Sequence, residues 1–217
     1  WDVITGLSAQ GFTGNHFGYL TYISNEDLRN HYIPTPGGKY QYYDSDAQKN
    51  DISLFAKATL HLSDQWDAFA DVQYRHVGFR TDGYNDKFVK DADGMYQAQP
   101  LNVDVTYDFV NPKAGFAWHK DGHRAYVSYA MSSREPERNN FTDNGHGEAP
   151  KAERMHDIEW GYSYDGKNWY AQLGMYYMKY KDQLVQTGEL SDIGEALTTN
   201  IEDSYRMGLE VSAGYTP

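Results

Sequence analysis

The chain has 217 residues, 40% of them apolar and 23% charged, which excludes a disordered composition and leaves room for one large β domain or two small ones. A net charge of −12 argues against nucleic acid as a partner, because phosphate contacts need Lys and Arg. With no Cys there is neither a disulfide framework nor thiol chemistry.

Tyrosine is the outlier, with 20 copies beside 5 Trp and 9 Phe, and such aromatic loading favours strands. No run of eighteen apolar residues exists, so no transmembrane helix is predicted. A barrel strand needs only alternate apolar residues and stays open as a reading. The chain starts at Trp1 and stops at Tyr215-Thr216-Pro217, so both ends are expected to be cuts through a longer protein.

In chain order, a less regular first strand is predicted near residues 1–12. Residues 51–63 then set Ile52, Leu54, Ala56, Ala58, Leu60 and Leu62 against Ser53, Lys57, Thr59, His61 and Ser63. Residues 66–76 set Trp66, Ala68, Ala70, Val72 and Tyr74 against Asp67, Asp71, Gln73 and Arg75. The same period of two recurs over 112–119, 124–132, 156–165, 168–178 and 204–215, giving roughly eight strands. No helical period competes.

The connections alternate strictly between short and long. Ser63-Asp64-Gln65, Lys120-Asp121-Gly122-His123 and Asp165-Gly166-Lys167 are tight, and the two Asp-Gly pairs suit turns with positive φ. Residues 13–50, 80–102, 133–153 and 183–199 read as long loops. Short turns at one end and long loops at the other are the habit of an outer-membrane barrel. Trp66, Trp118, Tyr164, Trp169 and Tyr215 lie near short turns, while Tyr74, Tyr177 and Tyr205 lie eight to ten residues away. Ten steps of ~3.3 Å tilted by roughly 40° project to about 25 Å, the height of the apolar band between two aromatic girdles. The predicted fold is therefore all-β, an antiparallel up-and-down transmembrane barrel wall of about eight strands over residues 1–217, with lipid on its apolar face. A soluble β-sandwich also alternates, but its strands average five or six residues. A self-contained eight-stranded outer-membrane protein, for adhesion or structure, and a soluble carbohydrate-binding sandwich are the alternatives.

No catalytic arrangement stands out: there is no HExxH, no Ser-His-Asp set, and the carboxylate pairs Asp157/Glu159 and Asp67/Asp71 suit a solvated face. No enzyme activity, cofactor or metal site is expected. Asp91-Ala92-Asp93-Gly94 fails as a calcium loop, because the end positions would be Val89 and Pro100. A loose divalent ion among Asp82, Asp86, Asp91 and Asp93 is the weaker reading, and His146 as a haem ligand is weaker than a solvated loop histidine. Tyr40, Tyr42, Tyr43, Tyr84 and Tyr96 fall in long loops, where rings either stack on a corrin, sugar or chelate or pack the loops together.

Residues 126–136, YVSYAMSSREP, are similar to the YASYSRGFRAP phrase of TonB-dependent outer-membrane receptors. Pro150-Lys151-Ala152-Glu153 followed by Asp157-Ile158-Glu159-Trp160-Gly161 resembles that family's LKPE and YELGL. Tyr176 to Val185 resembles FYxxYKDxI, and Thr199-Asn200-Ile201 with Gly208-Leu209-Glu210-Val211 resembles TNIGxxxxxGxELE. Asn111-Pro112-Lys113-Ala114-Gly115 fits the usual strand opening. Glu135 stands where the family has a small residue, and Glu202 where Gly is usual. The resemblance implies a bacterial outer-membrane location and a 22-stranded barrel closed by a plug and powered through TonB. The nutrient ligand would be a metal chelate such as a ferric siderophore, or cobalamin. It also implies a lumen lined by Asp67, Asp71, Arg75, Asp157, Glu159, Arg206 and Glu210, which would contact the absent plug.

Overall fold

The structure is a computed structural model that describes residues 1–90, 92–144, 149–191 and 194–217. Eight strands form one antiparallel sheet in sequence order. They are β1 (Asp2–Leu20), β2 (Tyr40–Ser63), β3 (Trp66–Lys90), β4 (Tyr96–Lys120), β5 (His123–Arg134), β6 (Glu153–Asp165), β7 (Trp169–Leu190) and β8 (Ala196–Tyr215). Two short helices, α1 (Glu26–Tyr32) and α2 (Arg138–Thr142), sit in long connections.

The strands are longer than the alternation predicts. β3 and β4 each run 25 residues, so most of the expected loop 80–102 is a strand hairpin, and so is most of 183–199. β1 continues to Leu20 and β2 already starts at Tyr40. The reason is physical. The two-residue period marks strand only while one face meets lipid. Beyond the outer aromatic residues the lipid-side face turns polar, with Arg80, Asp82 and Asp104, while the other face carries Val77 and Phe79, so the sense of the alternation reverses although the ladder continues.

The apolar face is open. Leu7, Ile158, Leu209 and Val211 are 72%, 51%, 62% and 72% exposed, and among the described residues no second sheet covers them. That overturns the soluble sandwich, whose apolar face would be sealed. The apolar band is bounded as expected. Trp66 pairs with Trp118, and the rings of Trp118, His123, Tyr164 and Trp169 follow one another at 6.4, 4.4 and 4.6 Å. Trp169 then pairs with Tyr215, which closes a continuous belt at the short-turn end. At the other end Tyr129 stacks on His156 and Tyr177 on Tyr205, both at 6.1 Å, and Tyr74 Oη donates to Asp108. Beyond them the same face carries Lys179, Asp203 and His76.

Of the two Asp-Gly turns, one is as predicted: Asp121 and Gly122 take φ of 49° and 81°. Asp165-Gly166 does not take positive φ. That turn is widened to residues 166–168 and closed by Gly166 N–H donating to Trp169 O at 2.9 Å.

The strand order runs from β1 to β8 without pairing of the two ends, so the self-contained eight-stranded barrel is not what forms. Both end strands leave a row of backbone donors and acceptors unpaired, a template for further strands. On a sizing column in detergent-free buffer, the isolated chain is expected to elute as assemblies joined through these edges. A monodisperse monomer would contradict this.

Candidate functional site

The opposite face of the sheet is polar near the short turns and covered near the long loops. Register alone lines up charges across it. Lys57 pairs with Asp71, Asp71 with Lys113, Lys113 with Ala130, Ala130 with Asp157, Asp157 with Met178 and Met178 with Arg206. Three of the predicted lumen charges, Asp71, Asp157 and Arg206, therefore share one row with alternating sign. Glu159 lies one row nearer the short turns, and Asp67 and Glu210 share the row after that. Asp67 accepts from His61 Nδ1 at 2.6 Å, and the Arg206 guanidinium lies 5.3 Å from the Tyr180 ring. Oδ1 of Asp157 is buried and accepts no hydrogen bond.

Between these charges, aromatic rings lie flat on the sheet. Phe55, Phe69, Tyr126, Tyr176 and Tyr170 are each paired directly with a glycine: Gly6, Gly115, Gly161, Gly208 and Gly214. A Cβ on Gly115 would stand 2.7 Å from a Phe69 ring carbon, and one on Gly161 2.7 Å from Tyr126 Cζ. The rings occupy space that any other residue would fill. Lys57 and Lys113 lie 5.7 and 6.0 Å from the Phe69 ring centre, so their cations also rest against the wall.

Nearer the long loops the connection after β5 folds back over this face, and here lie the most deeply buried of the described residues. Val77 is 0% exposed, and Ala47, Thr81, Leu101 and Phe109 are buried with it. This face of β3 and β4 turns apolar where Val77, Phe79, Tyr107 and Phe109 pair across from it or follow one another. An apolar lining needs a cover, and α2 supplies one: Phe141 stacks on Phe79 at 5.9 Å. Arg138 donates to Ser45 Oγ at 3.2 Å, and Gln99 donates to Thr142 O. At the far end Lys87 pairs with Asp143, and with Glu195 at 3.0 Å, which joins three connections.

Glu135 fixes the start of this cover. Its carboxylate accepts from Lys49 Nζ at 2.7 Å and from Arg75 Nη1 and Nη2 at 2.7 and 2.9 Å, while Arg75 Nε also donates to Asp51 at 3.0 Å. Glu135 is buried, and burial alone would raise its pKa. The Lys49 ammonium and the Arg75 guanidinium outweigh that and hold the carboxyl below the ordinary glutamate range. Arg75, predicted as a lumen charge, is thus engaged by a carboxylate brought in from a connection. In the sequence, Glu135 is marked only by its departure from the family phrase. An acid in place of a small residue, with two basic residues on this face, was the available signal.

Three of the family-like phrases meet at the rim. Asn200 Oδ1 accepts from Lys151 N–H at 2.9 Å, and its Nδ2 donates to Lys151 O at 3.0 Å and to Asp182 O at 2.7 Å. Glu153 accepts from Leu184 N–H at 3.0 Å. These residues staple the connection before β6 to the β7–β8 hairpin.

The predicted ligand tyrosines are only partly gathered. Tyr42 and Tyr43 are in contact at 4.9 Å, and Tyr43 lines a cavity of about 130 Å³ with His16 and Arg138. Tyr40 packs on Tyr32 at 4.7 Å. Tyr84 pairs with Asp44, the residue after Tyr43, and with Pro100. Tyr96 begins β4, and its side chain lies outside the described residues. Asp91 and His146 also lie outside them, and Asp82 is paired with Arg80 at 2.6 Å.

A family model described as TonB dependent receptor-like, beta-barrel, matches residues 1–216. The chain belongs to this family. Members of the TonB-dependent receptor family lie in the outer membrane, which accounts for a sheet with one face open to acyl chains. Solved structures share the fold at low identity. The copper transporter OprC is 16% identical with a TM-score of 0.73, over 100% of this chain and 33% of that one. The ferric-catecholate import receptor Fiu of E. coli K12 is 18% identical with a TM-score of 0.63, over 99% and 32%. The ferric yersiniabactin uptake receptor FyuA of Yersinia pestis is 16% identical with a TM-score of 0.63, over 99% and 29%. This TonB-dependent receptor segment thus spans about a third of the receptors it resembles. No curated protein sequence matches it.

Proposed function

We propose that the chain is wall and rim of an outer-membrane active transporter that imports a scarce nutrient of the ferric siderophore or cobalamin class, energised by TonB through a plug. The observation that carries this is the division of the inner face. A wet, charged stretch lies at membrane height, and an apolar stretch at the rim is closed by α2 and pinned by Glu135. The first suits a passage occupied by another folded part of the receptor; the second suits a mouth that holds connections in fixed positions around a ligand. The charges Asp67, Asp71, Asp157, Glu159, Arg206 and Glu210 meet the plug and hydrate the path. Tyr43 lines the mouth with Tyr42 beside it, and Tyr40, Tyr84 and Tyr96 are the further tyrosines assigned to the ligand. No catalytic role is proposed.

In cells that carry the full-length receptor, changing Tyr40, Tyr42 and Tyr43 together to Ala is expected to cut uptake of the ferric siderophore or cobalamin tenfold or more at limiting supply. That corresponds to losing at least one aromatic contact of about 1.5 kcal/mol. Uptake that stays at the unaltered level for every chelate and corrin supplied would reject the ligand role.

A further inference from the structure

We infer that the outer end of the lipid-facing surface over β6 and β7 is a seat for the phosphate headgroup of an outer-leaflet lipid. This rests on the outer-membrane location alone and not on the imported nutrient. The observation is one of register. Arg154 pairs with Lys181, and His156 with Lys179, so two successive positions of this face set base against base. His156 and Arg154 lie two and four residues beyond Ile158, and Lys179 and Lys181 two and four beyond Tyr177, on the same face. They begin where the apolar band ends, at the stack of Tyr177 on Tyr205.

Like charges directly opposite one another destabilise a ladder, so this register needs an anion. The sheet supplies only part of one. Lys181 is held by Glu202 at 2.7 Å and lies 3.6 Å from Asp203. Lys179 shares that same Asp203, at 3.7 Å, and the Arg154 side chain makes no hydrogen bond or ion pair among the described residues. On the same face of β3 the bases are answered: Arg80 by Asp82 at 2.6 Å, and His76 by Asp108 at 2.8 Å. β6 and β7 have both neighbours, β5 and β8, in the sheet, so further strands that close the barrel leave this surface as it is. Directly toward the short turns the face is apolar and open, with Ile158, Met175, Met207 and Leu209 all exposed. A phosphate-bearing lipid matches both parts at once, its acyl chains on that strip and its headgroup on the cations beyond. The long loops mark the outer side of the membrane, so the leaflet is the outer one. A cation within reach of an anionic headgroup strengthens binding roughly fivefold, and two such cations about thirtyfold.

The test measures the lipid retained by the full-length receptor in detergent, by native mass spectrometry. Dioleoyl phosphatidic acid is the probe, and dioleoyl phosphatidylcholine is the reference with the same chains and no net charge. The unaltered receptor is expected to hold the phosphatidic acid about thirtyfold more tightly than the reference. Arg154→Gln with Lys179→Gln is expected to bring the two lipids level by weakening the first alone. Arg80→Gln, whose charge Asp82 already answers, is expected to leave the preference intact. Should the double variant not assemble, Arg154→Gln alone is expected to cost about fivefold. Equal retention of the two lipids by the unaltered receptor overturns the seat, and so does a loss in Arg80→Gln as large as in the double variant. Displacement of the lipid by inorganic phosphate at equal concentration would mark a site for a free anion and overturns it as well.

Discussion

Replacing Glu135 with glutamine in the full-length receptor is expected to free residues 136–143 from the sheet while leaving the strand ladder intact. The variant keeps the shape and removes the charge. One of the two carboxylate oxygens becomes an NH2 that cannot accept, so Arg75 loses an acceptor contact and both Arg75 and Lys49 lose the negative charge they share, beside a buried apolar lining. Breaking a buried pair by removing one member costs about 3 kcal/mol at the low end of the usual range. The low end applies because Arg75 retains Asp51 and Lys49 is partly exposed. If that cost falls on local opening, the amides of Asn140 and Asp143, which bond to Glu137 and Asn139, should exchange on the order of a hundredfold faster. Exchange at the same rate as in the unaltered receptor would show that Glu135 does not hold the cover. The pH dependence has a fixed sign. A carboxyl held below its ordinary range contributes fully above about pH 4.3, its unfolded value, and loses that contribution only as pH falls through the lower folded value. The cover is therefore expected to stay closed across neutral pH and to loosen only under strong acid.

Leu173→Arg should destabilise the receptor far more than Gln172→Arg, although the two positions are adjacent on β7. Leu173 lies midway between Trp169 and Tyr177 on the open apolar face; Gln172 lies on the charged face, paired with Ser163 and Ser212. An arginine at the bilayer midplane costs about 2–4 kcal/mol, against roughly 0.5 kcal/mol or less for a surface change in a wet site. Reversible unfolding of the receptor in lipid vesicles measures both. Equal costs would mean that the two faces meet the same medium.

What could be read in the sequence is what lipid enforces. Leu54, Ala58 and Leu60 against Ser53, Lys57 and His61 give strand, register parity and face in one stretch, and Asp121-Gly122 gives its turn. Where the medium stops discriminating, the reading stops too. Arg80 and Asp82 lie in the same ladder and on the same face as Tyr74, yet past the lipid that face turns polar while Val77 and Phe79 line the covered face, so the pattern that marks strand lower down reverses. The site was legible in part. Asp71, Asp157 and Arg206 read onto the polar face by parity, but their common row appears only once β4 to β8 are aligned. The pairing of Tyr126 with Gly161 spans a connection of eighteen residues between β5 and β6, a separation no local pattern encodes. Glu135 and Phe141 act at distances in sequence of 86 and 62 residues from Lys49 and Phe79, so their partners could not be found from neighbours along the chain.

A nitroxide scan of β7 from Trp169 to Met178, in the full-length receptor in bilayers, tests the account most directly. Labels at odd positions should collide readily with lipid-dissolved oxygen, most of all near Leu173. Labels at even positions should be shielded from oxygen and reached, if at all, by a water-soluble nickel complex. Oxygen accessibility without a period of two, or highest at the even positions, would mean that the open face of this sheet was never turned toward acyl chains.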